Sequence, residues 1–404
     1  MVTSPTRDWA ALEHQYYQGI FQRQPITLVR GEGAYVWDSS GKQYLDLVAG
    51  IAVNVLGHCH PAIVEAVQYQ VTQLIHVSNL YYNVPQIKLA ELLHMLSGGM
   101  RAFFCNSGAE ANEAAFKLAR KYGRMHRNGA YEIISMDHGF HGRTLATTAA
   151  TGKPAYHATW APLPDGFKQV PFNDLEALKA ATSEKTIGIL IEPIQGESGI
   201  WPADKAFLQG VRAWCDEQNL VLILDEIQSG MGRTGKFFAY EHYDVKPDII
   251  TMAKGLAGGI PIGAMLTGPR TDLFVPGDHG STFGGNPIAC AAGVATITTI
   301  LEENLLDHVA QMGEIWSSRL ETLCASYPFI DSPRGMGLMR AFHVKHKLSS
   351  LIVQQAQEHG LLVNNAAPGA LRMVPPLTLT IDDLDKAAER LDKALADVAE
   401  MKQL

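Results

Sequence analysis

Leu220-Val221-Leu222-Ile223-Leu224-Asp225-Glu226 and Pro247-Asp248-Ile249-Ile250-Thr251-Met252-Ala253-Lys254-Gly255 decide how this chain is read. Both are apolar runs of strand length. The first ends in a carboxylate and the second in a lysine, each just before a glycine-bearing loop. In an open α/β sheet that edge is where ligands bind. An acid there pairs with a protonated ring nitrogen, and an amine there forms a Schiff base with an aldehyde. Together they describe pyridoxal phosphate (PLP) chemistry.

The same rhythm extends outward. Residues 101–105, 132–136, 187–191, 220–224 and 249–253 read as strands, and 109–122, 207–218 and 287–301 as helices. Such alternation predicts a mainly parallel sheet with helices on both faces. Upstream, 34–38 and 43–47 flank Ser39-Ser40-Gly41 and read as a hairpin. Residues 61–75 read as an amphipathic helix with proline in its first turn. Past 301, long helical patterns and short strands take over. The expected architecture is α/β, with a large domain over 61–305. A smaller α+β domain is expected from 1–60 and 306–404.

Composition narrows the partners. A chain of 404 residues, 47% hydrophobic and 18% charged, suffices for two domains with substantial cores. A net charge of −8 argues against a nucleic-acid or other polyanion surface. Charges or glycines break every apolar stretch before about 18 residues, so no membrane-spanning helix is expected. The first twenty residues lack the apolar run of a signal peptide. The five cysteines are odd in number, widely spaced and without a CxxC, which argues against a disulfide framework or zinc cluster. A cytoplasmic location is expected.

Each candidate residue has an ordinary reading beside the chemical one. A lysine at a strand end is usually solvated. Lys254, however, is followed by Gly255-Leu256-Ala257-Gly258-Gly259-Ile260-Pro261, small residues that let a cofactor approach. Asp225 either caps the next turn or pairs with a pyridinium nitrogen, and Gln228 is a candidate donor to the ring's phenolic oxygen. Ser107 and Gly108 open a helix where phosphate binds well, or Ser107 simply caps it with Glu110 three residues on. Thr282, in the loop Gly280–Pro287, is a second phosphate donor, placed across a dimer interface. Phe140 or His141 is a candidate to stack on the ring, with Arg143 holding a substrate carboxylate. His138 and His141 are alternatively two ligands of a metal site. Glu192 and Glu197 read as acid–base partners or as solvated loop charges. Arg372 lies among apolar residues and needs a partner, either a substrate carboxylate or Glu197.

Several motifs stand together in one order: Gly57-His58-Cys59-His60-Pro61, Asn106-Ser107-Gly108-Ala109-Glu110-Ala111-Asn112, Phe140-His141-Gly142-Arg143, Glu192-Pro193-Ile194-Gln195-Gly196-Glu197, Asp225-Glu226-Ile227-Gln228, Ala253-Lys254-Gly255, Ser281-Thr282-Phe283-Gly284-Gly285-Asn286-Pro287 and Leu371-Arg372. In them the chain, from about Pro25 onward, resembles the class III (ω-amino acid) aminotransferases of PLP fold type I, the aspartate-aminotransferase-like fold. The resemblance is nearest to the family's acetylornithine branch.

The resemblance implies a homodimer and assigns roles. Lys254 would bond the cofactor aldehyde and shuttle the proton, Asp225 would hold the ring nitrogen, and Phe140 would stack. Ser107, Gly108 and Ala109 would cup the phosphate, with Thr282 arriving from the other subunit. His141, Glu226 and Gln228 would complete the cofactor site, and Ser281 would join Arg143 at the substrate. Arg143 would bind a donor carboxylate, and Arg372 the α-carboxylate of glutamate or 2-oxoglutarate, with Glu197 neutralising Arg372 while the amine donor is bound.

The implied reaction moves the terminal amino group of N-acetylornithine to 2-oxoglutarate. Succinylornithine, 4-aminobutyrate and ornithine are alternative donors. Relatives that act on free ornithine tend to carry tyrosines where this chain has Phe21 and Ile51, which favours an acylated donor. The rival readings are an aminomutase, a metal-dependent hydrolase built on His138, His141 and Asp225, and a non-catalytic binding protein.

Overall fold

The computed structural model describes residues 8–367 and 369–403. In chain order its strands begin with β1 (Leu28–Glu32), β2 (Tyr35–Asp38), β3 (Gln43–Asp46), β4 (Arg101–Cys105), β5 (Glu132–Met136), β6 (Phe167–Val170) and β7 (Thr186–Ile191). Next come β8 (Ile194–Gln195), β9 (Trp201–Pro202), β10 (Val221–Asp225), β11 (Ile249–Met252) and β12 (Gly263–Thr267). The last are β13 (Ile330–Met336), β14 (Met339–Val344), β15 (Leu361–Leu362), β16 (Asn364–Ala367) and β17 (Ala370–Met373).

Seven strands make the central sheet, in the order β4-β12-β11-β10-β7-β5-β6. Among these strands β12 alone runs against its neighbours, β11 and β4; the other pairings are parallel. The two opening stretches are β10 and β11, adjacent and parallel, with Asp225 in register with Thr251. Asp225 and Lys254 therefore leave the sheet at the same carboxyl edge.

Both faces of β10 are covered, as its unbroken apolar sequence demands. Leu222 and Leu224 pack into one hydrophobic cluster, Val221 and Ile223 into another. The helix Gly108–His126 seals the second face with Ala111, Ala114, Ala115 and Ala119, all buried. Alanines let its backbone approach the sheet closely. The helix Lys205–Glu217 buries Phe207, Leu208, Val211 and Cys215 in the cluster on the other face.

The two chain ends meet outside this sheet. β1, β2 and β3 form an antiparallel meander that includes the expected hairpin, and β15 joins β3 in parallel. A further antiparallel sheet, β13-β14-β17-β16, carries Arg372 on the fully buried β17. The ribbon β8–β9 spans the gap toward the site and holds Glu197 in its turn.

Candidate active site

A cavity of about 350 Å³ opens at the carboxyl edge of β10 and β11. Its walls include Ser107, Gly108, Ala109, Phe140, His141, Glu192, Glu197, Asp225, Gln228 and Lys254. Five separate stretches of sequence thus converge there. Val53 adds a wall from the segment after β3. That segment is strained: Ala49, Ile51 and Ala52 all have positive φ, which for the β-branched Ile51 is a marked departure.

The floor is a buried hydrogen-bonded net. Asp225 Oδ2 accepts from Asn112 Nδ2 at 2.9 Å and lies 2.8 Å from His141 Nδ1. A carboxylate only accepts, so Nδ1 carries the proton. Asp225 Oδ1 accepts from Ile227 N at 3.1 Å. Asn112 Oδ1 in turn accepts from Thr251 Oγ1 at 2.8 Å. Asn112 and Thr251 are wholly buried. Asp225 thus has a fixed direction and keeps acceptor capacity toward the cavity.

Lys254 follows β11 at a φ of 43°, a conformation that costs a non-glycine residue about 1–3 kcal/mol and persists where function uses it. Burial lowers its pKa, the charge of Glu197 opposes this, and the charge of Arg372 lowers it further. An amine depressed in this way is easier to free of its proton.

Behind the wall residues Glu197 and Gln228, Arg372 Nη1 donates to Glu197 Oε1 at 2.6 Å, to Gly196 O at 3.1 Å and to Gln228 Oε1 at 3.2 Å. Gln228 Nε2 closes the triangle on Glu197 Oε1 at 3.0 Å. Burial alone would raise the carboxyl pKa of Glu197. The charges of Arg372 and Lys254 and the hydrogen bonds outweigh it and hold the group at about 2. Arg372 is therefore a neutralised cation buried behind Glu197 and Gln228, which line the cavity.

At the helix start, Ser107 Oγ accepts from Glu110 N at 3.2 Å. Glu110 Oε2 reaches back to Asn106 N at 2.9 Å, so the cap reading is realised at the edge of the cavity. A Cβ on Gly108 would lie 2.6 Å from Ile227 Cδ1, so any larger residue requires the Ile227 side chain to move. Helix N–H groups, a fixed carboxylate and a desolvated lysine line one cavity. That donor set fits PLP: phosphate on Ser107–Ala109, ring nitrogen on Asp225, aldehyde on Lys254.

Other expected residues fall elsewhere. Glu226 does not reach the cofactor position. Its carboxyl group accepts from Ala239 N at 2.8 Å and Tyr240 N at 2.7 Å, beneath the sheet edge, because successive residues leave a strand on opposite sides. Gln228 is engaged with Glu197 and Arg372. His141 shares the wall with Phe140 but has its Nδ1 on Asp225, which leaves Phe140 as the candidate to stack. Arg143 lies exposed outside the wall, its Nη2 donating to Tyr156 OH at 3.0 Å. Ser281 Oγ accepts from Asn106 Nδ2 at 3.1 Å, while Thr282 is exposed and does not line this chain's cavity. Phe21 is exposed as well, and Ile51 sits two residues from the wall. Among the described residues no group of three or more His, Cys, Asp or Glu is placed to hold a metal, so His138, His141 and Asp225 do not form a ligand set.

Sequence reading missed Asn112 and Lys153. Asn112 interrupts the buried alanine face of its helix, and a polar side chain there needs a partner. Lys153 Nζ donates to Glu197 O at 3.3 Å and stands 5.6 Å from the Phe140 ring centre.

The chain matches the family model for class III aminotransferases over residues 18–395. It is 50% identical over 394 residues to the acetylornithine aminotransferase of Methanocaldococcus jannaschii, covering 97% of this chain and 98% of that one. The crystal structure of N-acetylornithine aminotransferase from Stenotrophomonas maltophilia superimposes with a TM-score of 0.84 at 36% identity, covering 97% of this chain and 99% of that one. The Toxoplasma gondii ornithine aminotransferase structure, described with partial occupancy of PLP at its active site, gives 0.95 at 31%, covering 98% and 95%. The backbone shape is thus shared by enzymes with different amine donors, and donor choice must lie in side chains. With PLP as its cofactor and the site of fold type I, this chain belongs to the class III aminotransferase family.

Proposed function

We propose that this protein transfers the terminal amino group of N-acetylornithine to 2-oxoglutarate, giving N-acetylglutamate 5-semialdehyde and glutamate. The observation that carries this reading is the Arg372–Glu197 pair beside Lys254. With the pair closed, the wall is neutral and admits a donor chain that ends in an amine. With Glu197 turned away, Arg372 offers a bidentate fork to the α-carboxylate of 2-oxoglutarate. One cavity then serves two substrates in turn. The acetylornithine aminotransferases at about half identity support the choice of donor.

PLP, when bound, supplies the electron sink for the carbanion. The chain's own residues do the rest. Asp225, fixed by Asn112 and His141, keeps a negative charge at the ring nitrogen. With PLP bound, Lys254 Nζ would take the proton from the donor's terminal carbon. Phe140 would cover one face of the ring, and Ile227 packs at the helix start. Arg143, without a carboxylate partner among the described residues, holds the donor's α-carboxylate at the mouth.

The site is completed by a second copy. Leu80, Tyr81, Tyr82 and Phe283 are large, apolar and mostly exposed. Asn79 Nδ2 ties their segments together through Ser281 O and Gly284 O, both at 3.0 Å. An exposed patch of this kind suits a homodimer interface, across which Thr282 would reach the partner's phosphate site.

A donor panel tests the reading. Acetylornithine should give the highest kcat/KM with 2-oxoglutarate, above succinylornithine, 4-aminobutyrate and ornithine. Free ornithine as the best donor would contradict it.

A further inference from the structure

Glu197 sits in a turn that its own ribbon does not secure. β8 and β9 pair through only Ile194 with Pro202 and Gln195 with Trp201, and Pro202 has no N–H to give. A ribbon this short is marginal by itself. The turn between the two strands, residues 196–200, also carries strain. Ile200 is β-branched yet has a φ of 61°. It is wholly buried and packs with Ile194, Met339 and Val374, which hold it there.

Side chains supply what the ribbon lacks. Four successive carbonyl groups of the turn each accept from one. Gly196 O accepts from Arg372 Nη1 at 3.1 Å and Glu197 O from Lys153 Nζ at 3.3 Å. Ser198 O accepts from Trp201 Nε1 at 3.1 Å and Gly199 O from Arg334 Nε at 2.8 Å. Three of these donors are cations, and charged donors make the stronger hydrogen bonds. They come from three separate places: β17, the residue before the helix Pro154–Trp160, and β13.

Arg334 does more than donate. Its Cζ lies 3.9 Å from the Trp201 ring centre, so one guanidinium touches the turn and the strand after it. Gly199, at a φ of 105°, closes the same side. A Cβ there would lie 2.7 Å from Ala370 Cβ, on the strand that carries Arg372. The clamp thus grips the main chain, while Glu197 meets Arg372 and Gln228 through its carboxyl group.

We propose that Arg334 and Lys153 are positioning residues for Glu197: they pin its main chain, so that closing the pair with Arg372 takes side-chain rotation alone. The inference rests on the reading of the Arg372–Glu197 pair given above. Ordering a turn costs conformational entropy, and the clamp meets that cost on folding, before a substrate arrives. With one clamp bond removed, closing the pair must order the turn as well, and the balance shifts toward the open state. The closed state admits the amine donor and the open state admits 2-oxoglutarate, so the two preferences move against each other.

Arg334→Met removes the donor to Gly199 O and keeps an apolar stem beside Trp201. Lys153→Met removes the donor to Glu197 O. Each PLP-loaded variant is compared with the native protein in two measurements. The first is kcat/KM for acetylornithine against kcat/KM for 2-oxoglutarate. The second is the Kd, by calorimetry, for glutarate, a dicarboxylate with no keto group to react. The ratio of the two kcat/KM values should shift about fivefold toward 2-oxoglutarate. Because the pair is closed in the structure, glutarate should bind about fivefold tighter. A ratio within twofold of native, as an equal loss in both half-reactions would give, or glutarate bound no tighter, overturns the proposal. Should Arg334→Met fail to fold, Lys153→Met decides alone. Glu197→Gln separates the clamp from the pair it serves. If it shifts the ratio and the clamp variants do not, the clamp alone is wrong. If it shifts nothing, the reading of the pair fails with it.

Discussion

The floor and the mouth of this cavity are built on opposite principles. On the floor, Asp225, His141, Asn112 and Thr251 are buried, paired and held by adjacent strands and one long helix. At the mouth, Arg143 is exposed on a loop, and among the described residues it has no carboxylate partner. Arg372 and Arg143 make the same contrast within one residue type. The first has three acceptors on one nitrogen; the second touches a tyrosine hydroxyl and stands 4.2 Å from that ring's centre. A preorganised floor keeps one cofactor in one pose. A mouth with an unspent donor waits for a substrate. Fixed chemistry and changeable specificity are thereby kept on separate parts of the chain.

The contrast can be broken by substitution. The largest effect belongs to Lys254→Ala, which should cut turnover by more than about 10⁴-fold, measured as product formed under saturating substrates. Next, Arg372→Lys should raise the KM for 2-oxoglutarate about 100-fold, because a buried charged fork contributes about 2–3 kcal/mol. Arg143→Gln, at a solvent-screened position, should raise the donor KM only about tenfold. If Arg143 outweighs Arg372 in these assays, the division between floor and mouth is wrong. A fourth variant, Asn112→Leu, leaves Thr251 Oγ1 unpaired and removes one donor from Asp225. It should lower stability by about 1–3 kcal/mol in urea unfolding without PLP.

The smallest effect is on pH. Glu226 has a folded pKa of about 7, raised by burial against three opposing hydrogen bonds, from an ordinary value of 4.5. Between those values the folded chain binds a proton that the unfolded chain does not, so stability falls as pH rises through the window. Glu197 acts with the opposite sign. Its contribution is complete above 4.5 and is lost as pH falls toward about 2. Calorimetry of Glu226→Gln beside the native protein should show a shallower fall in Tm between about pH 5 and 7. An identical fall in both would contradict it.

Asp225 and Lys254 were legible in the sequence because strand ends are: an apolar run stops, and the next residue must leave the sheet at a known edge. The capping pattern at Ser107 was equally local. Glu226 was misplaced by attention to its neighbour, although strand alternation alone sends consecutive side chains to opposite sides. Asn112 carried a signal that went unread, a polar residue inside a buried alanine face. The bond from Phe140 N to the Glu192 carboxyl group left none, since it joins the loops after two different strands. Local chemistry shows in sequence; the meeting of loops depends on the whole sheet order.

The central claim is that one cavity hands an amine between two substrates in turn. The direct measurement mixes PLP-loaded protein with acetylornithine, without an acceptor, and counts semialdehyde per active site. The account predicts one equivalent and then arrest, with turnover resuming on addition of 2-oxoglutarate. Continued turnover without an acceptor, or no semialdehyde from acetylornithine, would contradict it.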